Sequence, residues 1–273
     1  MPQTINTNVA SINSQRNLSA SQASLTTSMQ RLTSGLRVNS AKDDAAGLAI
    51  AERMNSQVRG MNVAIRNAND GISLMQTAEG AIGKVGDMLQ RMRELAVQSA
   101  NATNTTDDRS NLDAEFQQLA QEVTRTSLNS NFNGVAVIGS GAGSLAYQVG
   151  ANSTDQVSVT TTNAATITST VTAGGITSAA AASTAMANID TALNAINTER
   201  ALYGAAQNRF EAIISTLQVS AENTTAARGR IMDADFASET ANLSRAQILQ
   251  QAGTAMLAQA NQLPQQVLQL LRG

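Results

Sequence analysis

NLSRAQILQQAGTAMLAQANQLPQQVLQLLRG, residues 242–273, carries Leu249, Met256, Leu263 and Leu270 at seven-residue intervals. Ala252, Ala260 and Val267 fill much of a second row. Seven residues make close to two turns of an α-helix, so these side chains share one face. A one-sided apolar stripe is not stable alone in water and needs partner helices. Near the other end, Leu25, Met29, Leu32 and Leu36 repeat at 4-3-4 spacing. The chain is built to pack lengthwise, which points to assembly rather than chemistry.

Working outward from these ends, residues 5–36 read as an amphipathic helix, with Leu18, Leu25 and Leu32 on one stripe. Residues 33–44, TSGLRVNSAKDD, interrupt the pattern, and Asp43 or Asp44 is placed to cap the helix that follows. Residues 45–100 hold the longest run: Met54, Met61, Ala68, Met75, Ile82, Leu89 and Ala96 fall at strict seven-residue intervals. Val58, Ile65 and Ile72 give a second row, which loosens at Glu79, Gly86 and Arg93. After a turn at 101–110, Leu112, Phe116, Leu119 and Val123 mark another helix to about Asn129. The short connection predicts an antiparallel helical hairpin.

NSNFNGVAVIG then reads as a turn into a short strand, and 145–160 offers another with Val157 and Val159 alternating. Residues 150–182 are rich in Thr, Ser, Ala and Gly; weak strands and solvent exposure are expected there. Ile189, Ile196, Tyr203, Phe210 and Leu217 return the heptad over 183–228. A break near 228–235 precedes a last helix from about Phe236 to Leu271, with Pro264 a kink or restart point. The fold class expected is mainly α: an elongated bundle or coiled coil of N- and C-terminal helices with a small β-hairpin region.

Composition narrows the functions open to this chain. Aromatics are 2% and Trp is absent, so core volume must come from aliphatic side chains, Met and Ala. A formal net charge of -2 gives no long-range attraction to nucleic acid or an anionic membrane. No stretch is apolar for long enough to predict membrane insertion. The polar start, MPQTINTNVASINSQRNL, lacks the apolar segment of a secretory signal peptide. With no Cys and no His, thiol chemistry and the commonest general base and metal ligand are excluded. GSGAGS at 139–144 lacks the Gly-Lys-Ser/Thr continuation of a phosphate cradle. The acidic pairs Asp43/Asp44, Asp107/Asp108 and Asp233/Asp235 sit at predicted helix ends, where capping explains them. No enzyme activity, cofactor or metal is expected.

Several segments together resemble bacterial flagellins. SLTTSMQRLTSGLRVNSAKDDAAGLAIAERM at 24–54 is similar to the N-terminal signature of that family, as are QRMRELAVQSANATNT at 90–105 and NFNGVAVIG at 131–139. AQNRFEAIISTL at 206–217 and the quoted C-terminal stretch resemble its C-terminal region. The resemblance implies a homopolymeric filament subunit for swimming motility. Residues 1–43 would be an inner assembly helix and linker, 44–149 a helical rod with β-hairpin, and 150–182 a reduced variable outer region. Residues 183–228 would complete the rod, and 229–273 would be the C-terminal linker and inner assembly helix. Filament-core packing would fall to Leu25, Met29, Leu32, Leu249, Met256, Leu263 and Leu270.

The resemblance further implies secretion through the flagellar export apparatus, with an export chaperone, filament cap and hook–filament junction proteins as partners. It also implies a vertebrate innate flagellin receptor as a partner, contacted through Arg91, Leu95 and Glu115. A hook–filament junction protein is the alternative reading. An exported adhesin or effector is weaker, because no distinctive central binding module is visible.

Overall fold

The fold comes from a computed structural model that describes residues 7–139 and 141–270, with side chains of the last helix described as far as Gln262. Six helices and two two-stranded sheets occur among them: α1 (Val9–Ser34), α2 (Ala45–Ala100), α3 (Thr106–Asn129), β1 (Asn131–Phe132), β2 (Val135–Ala136), β3 (Ser144–Gln148), β4 (Gln156–Thr160), α4 (Ala164–Thr172), α5 (Ala179–Met232) and α6 (Phe236–Leu270). The chain forms two compact units. One takes in both ends of the chain, up to Ser56 and from Asn223; the other is Gln57–Glu222.

In the unit of the chain ends, α1 and α6 pack against each other. Asn8 caps α1 by accepting the Ser11 N–H at 3.1 Å. The helix stops at Gly35, whose φ of 71° is cheap only without a Cβ, and whose N–H donates to the Arg31 carbonyl at 2.8 Å. The following turn is tied to the short α5–α6 break, 233–235. Arg37 N–H donates to the Met232 carbonyl at 2.6 Å, and Ala234 N–H donates to that of Gly35 at 2.9 Å. Val38, Ala51 and Met232 bury a small apolar cluster beside these bonds.

Both acidic residues expected as caps are used, for different ends. Asp44 accepts the Gly47 N–H at 2.8 Å and starts α2. Asp43 closes the turn by accepting from Asn39 N–H, Ser40 N–H and the Ser40 hydroxyl. Those donors, that of the Asn39 backbone first, hold its carboxyl below the ordinary aspartate range. Across Pro264, α6 continues as one helix rather than restarting.

The Gln57–Glu222 unit holds the larger core. α2 and α5 run antiparallel, with Glu79 beside Gln207 at 3.1 Å and Arg93 beside Asp190 at 2.6 Å. Ala68, Met75, Ile82, Leu89 and Ala96 are all buried, as their spacing predicts. The second row differs from the expected one. Ala64, Ala78, Val85, Met92 and Ser99 are buried, whereas Ile65 and Ile72 are half-exposed and Arg93 is on the surface. The two sets flank the first row on opposite sides. Small residues at 64, 71 and 78 let α5 approach, and Phe210 lies against Gly71. Large side chains at 65 and 72 would hold the helices apart.

α3 returns along α2 after a tight turn, its start fixed by a capping box between Thr105 and Asp108. Two hairpins follow in place of the single one expected. β1–β2 turns on Asn133 and Gly134, both at positive φ (49° and 80°), the two-residue turn that suits strand twist. β3–β4 pair antiparallel, with Leu145 opposite Val159 and Tyr147 opposite Val157.

The stretch 150–182, expected to be weak strand and exposed, holds strand β4 as expected but also contributes α4 and core. Ala164, Thr168, Val171 and Ile176 are buried. Ile176 is clamped on both sides: its N–H donates to Asp113 at 2.7 Å, and its carbonyl accepts the Ser99 hydroxyl at 2.5 Å. Thr168 can be buried because its hydroxyl donates to the Ala164 carbonyl of its own helix at 2.9 Å. Composition hid this helix, because a satisfied threonine and an alanine carry little apolar signal.

Candidate assembly surface

The α1–α6 pair is antiparallel. Asn8 Nδ2 donates to the Ala260 carbonyl at 2.7 Å, Leu18 meets Gly253, and Arg31 lies 3.8 Å from Glu239. On α1 the seam repeats every seven residues: Ser11, Leu18, Leu25 and Leu32 in one row, Ser14, Ser21 and Ser28 in the other. On α6 the matching rows are Glu239, Ala246, Gly253 and Ala260, and Leu243, Gln250 and Leu257. Half of the side chains along this line are short. A Cβ at Gly253 would sit 3.2 Å from Leu18 Cδ1, so the helices meet closely there. The serines remain satisfied: Ser14 and Ser21 donate to carbonyls one turn back, and Ser11 donates to Asn261 Oδ1 at 2.8 Å.

Leu25 and Leu32 therefore pack in the chain's own seam, half-buried. Met29 falls one position off it, beside buried Ser28, and is 54% exposed. On α6, Leu249 and Met256 border the Ala246–Gly253–Ala260 row on the side away from Leu243, Gln250 and Leu257, and are 51% and 59% exposed. Ile248, next to Leu249, is 65% exposed. Val9 and Ile12 on α1 and Phe236 on α6 are exposed as well. Leu263 and Leu270 lie outside the residues whose side chains are described.

The heptad quoted at the outset is thus not the one that closes within the chain. Each helix packs two rows against the other, and Leu249 and Met256 of α6 stay exposed beside them. One closed row of α6 reads Glu-Ala-Gly-Ala, which no hydrophobic pattern search selects, and its Gly253 meets Leu18 of α1.

The other residues singled out lie in the Gln57–Glu222 unit. Arg91 and Glu115 are on the surface, joined across α2 and α3 by an ion pair of 2.9 Å, and Arg91 also reaches Glu94 at 2.9 Å. The hydrogen bonds that Arg91 donates to Glu94, and then to Glu115, raise its pKa. Leu95 is placed differently from the expectation. It is 1% exposed, inside the core with Phe116 and Met92, so its side chain is not open to an outside partner. The heptad places it there: positions 92, 95, 96 and 99 all face inward on the last turns of α2. Among the described residues no helix is long and apolar enough to cross a membrane, and no cluster of metal-ligating side chains occurs.

An antiparallel helical pair with an exposed apolar row beside its closed seam calls for a further apolar partner, and the comparisons give the kind of protein. The bacterial flagellin N-terminal helical region matches residues 5–142, and the bacterial flagellin C-terminal helical region matches 186–271. The flagellin of Halalkalibacterium halodurans is 46% identical over 270 residues, covering 98% of this chain and 99% of that one. The crystal structure of Bacillus cereus flagellin, 32% identical, superposes with a TM-score of 0.52 over 60% of this chain and 94% of that one. A flagellar hook-associated protein of Vibrio parahaemolyticus shares the fold with a TM-score of 0.60, over 70% of this chain and all of that one, at 13% identity. The chain belongs to the bacterial flagellins. It is a structural subunit that polymerises into the flagellar filament of motile bacteria.

Proposed function

We propose that the filament is built through the α1–α6 pair, with the exposed row of Leu249 and Met256 closed by neighbouring copies of the chain. The observation that carries this reading is that row itself: large apolar side chains on a regular heptad, beside a seam already satisfied within the chain. A helical assembly repeats one heterologous contact without closing, so each added copy meets the open row of the last. Met29 then serves at the margin of the same contact. Residues 1–43 and 229–273 form the inner part of the filament, and 44–149 and 183–228 the surrounding rod, to whose core 150–182 also contributes.

Export through the flagellar apparatus, an export chaperone on the C-terminal segment, and insertion at the tip beneath a cap, beyond the junction proteins, complete the reading. The exposed Arg91–Glu115 pair is its candidate contact for the vertebrate flagellin receptor. Electron microscopy of monomer seeded with short filament fragments tests the assembly step. The intact chain elongates, and a chain truncated after Ser238 does not. Equal elongation by the truncated chain overturns the inner-contact reading. Failure of the folded, intact chain to elongate across salt conditions favours a junction role instead.

A further inference from the structure

The described methionines divide sharply by exposure. Met75 and Met92 are fully buried and Met232 nearly so; Met54, Met61, Met88 and Met186 are half-buried. Met29 and Met256 alone among them are more than half exposed. Both lie on the two helices of the assembly surface, and neither is in the seam that α1 and α6 close between themselves. The sulfurs most open to solvent are thus on the helices whose contacts must stay apolar.

We propose that Met256 and Met29 are sites of thioether oxidation that switch the free chain from assembly-competent to assembly-blocked. This rests on the reading that neighbouring copies cover the Leu249–Met256 row. The oxidant is a two-electron oxygen donor of the peroxide class. Its O–O bond breaks, one oxygen bonds to Sδ, and water leaves. The sulfur is oxidised by two electrons and the peroxide is reduced by two. A sulfoxide is strongly polar and needs hydrogen-bond donors. Of the residues three and four positions from Met256 on its own helix, Ala252, Gly253 and Ala260 offer no side-chain donor, and only Gln259 has one. Burying the sulfoxide against a second apolar helix leaves it unsatisfied, so contact formation is lost. In the free chain the same sulfoxide sits in water and leaves the α1–α6 seam intact. The switch acts on addition of subunits and spares those already covered. Sulfoxide reductases reverse the change.

The test treats purified monomer with graded hydrogen peroxide, follows each methionine by peptide mass mapping, and measures seeded elongation. Met256 and Met29 oxidise before Met75 and Met92, and elongation falls roughly tenfold or more as they do. Treatment with methionine sulfoxide reductase restores it. A chain carrying M29L and M256L, measured against its own untreated rate, loses little on the same dose. Preformed filaments show slower oxidation at Met256 than monomer does. Oxidation of Met75 as fast as Met256, or elongation at the untreated rate with both sites oxidised, overturns the proposal. Untreated M256E separates the two ideas. If M256E elongates normally, the assembly reading fails. If M256E is blocked while the sulfoxide chain elongates, only the oxidation proposal fails.

Discussion

The two units of this chain bury different things. The Gln57–Glu222 unit closes around Phe116, Tyr203 and Phe210 with rows of Met, Leu and Ile, and needs nothing more to exclude water from them. The unit of the chain ends closes α1 on α6 through leucines set among serine, alanine and glycine, and leaves Ile248, Leu249 and Met256 outside. One region spends its large side chains on its own fold. The other leaves three large apolar side chains of α6 in water beside a seam that is already closed.

Composition left the core to aliphatic side chains, yet three rings are fully buried in it, and the comparison breaks first if they do not help hold the larger unit. Phe210→Ala removes a fully buried ring packed on Gly71 and edge-on to Tyr147, with ring centroids 5.3 Å apart. A loss of about 3–5 kcal/mol is expected, read by denaturant unfolding. Leu249→Glu tests the other half of the contrast. Its unfolding midpoint should stay at the wild-type value, while elongation from seeds falls by roughly tenfold or more.

The α1–α6 seam allows a sharper test, because Gly253 sits at its closest approach. Gly253→Ala gains about 1 kcal/mol of helix propensity. That gain meets a 3.2 Å contact with the movable end of Leu18, so little net change is expected. Gly253→Ile cannot be absorbed, and should loosen α1 and α6 in hydrogen exchange while the larger unit keeps its protection. Equal loosening of both units would contradict their separate closure.

Smaller effects belong to helix ends and surface pairs. Thr105→Ala removes the capping box of α3 and should cost about 1 kcal/mol. Asp190 is held below the ordinary aspartate range by its hydrogen bonds from Arg93. A carboxyl lowered on folding lends stability above its unfolded pKa and loses it as pH falls through the folded one. Asp190→Asn should therefore trail the wild type slightly at neutral pH, with the gap closing in acid. Unfolding midpoints across pH check the sign.

Long regular helices were legible because their rows of Met, Leu and Ile repeat over many turns; the bounds of α2 follow directly from that run. Which side of a row is buried was not legible where small residues decide it. Ala64 and Ala78 won over Ile65 and Ile72, and Gly253 over Leu249, because close backbone approach outweighs side-chain hydrophobicity at a two-helix contact. α4 was missed for a related reason: Thr168 and Ala164 read as surface until their hydrogen bonds are known. Leu95 shows the same limit from the opposite side, since a resemblance carries a role but not the burial that permits it. The heptad of Leu249 and Met256 on α6 was legible as a pattern, and both side chains lie exposed.

Cysteine labelling tests the central claim most directly, because the chain has no cysteine of its own. A single cysteine replaces Leu249, and its reaction rate with a maleimide is compared in monomer and in seeded filaments. The account predicts fast labelling of the monomer, slowing by roughly tenfold or more in the filament and recovering on depolymerisation. Equal rates in monomer and filament would mean that neighbouring copies do not cover this row, and the assembly surface would have to be sought elsewhere.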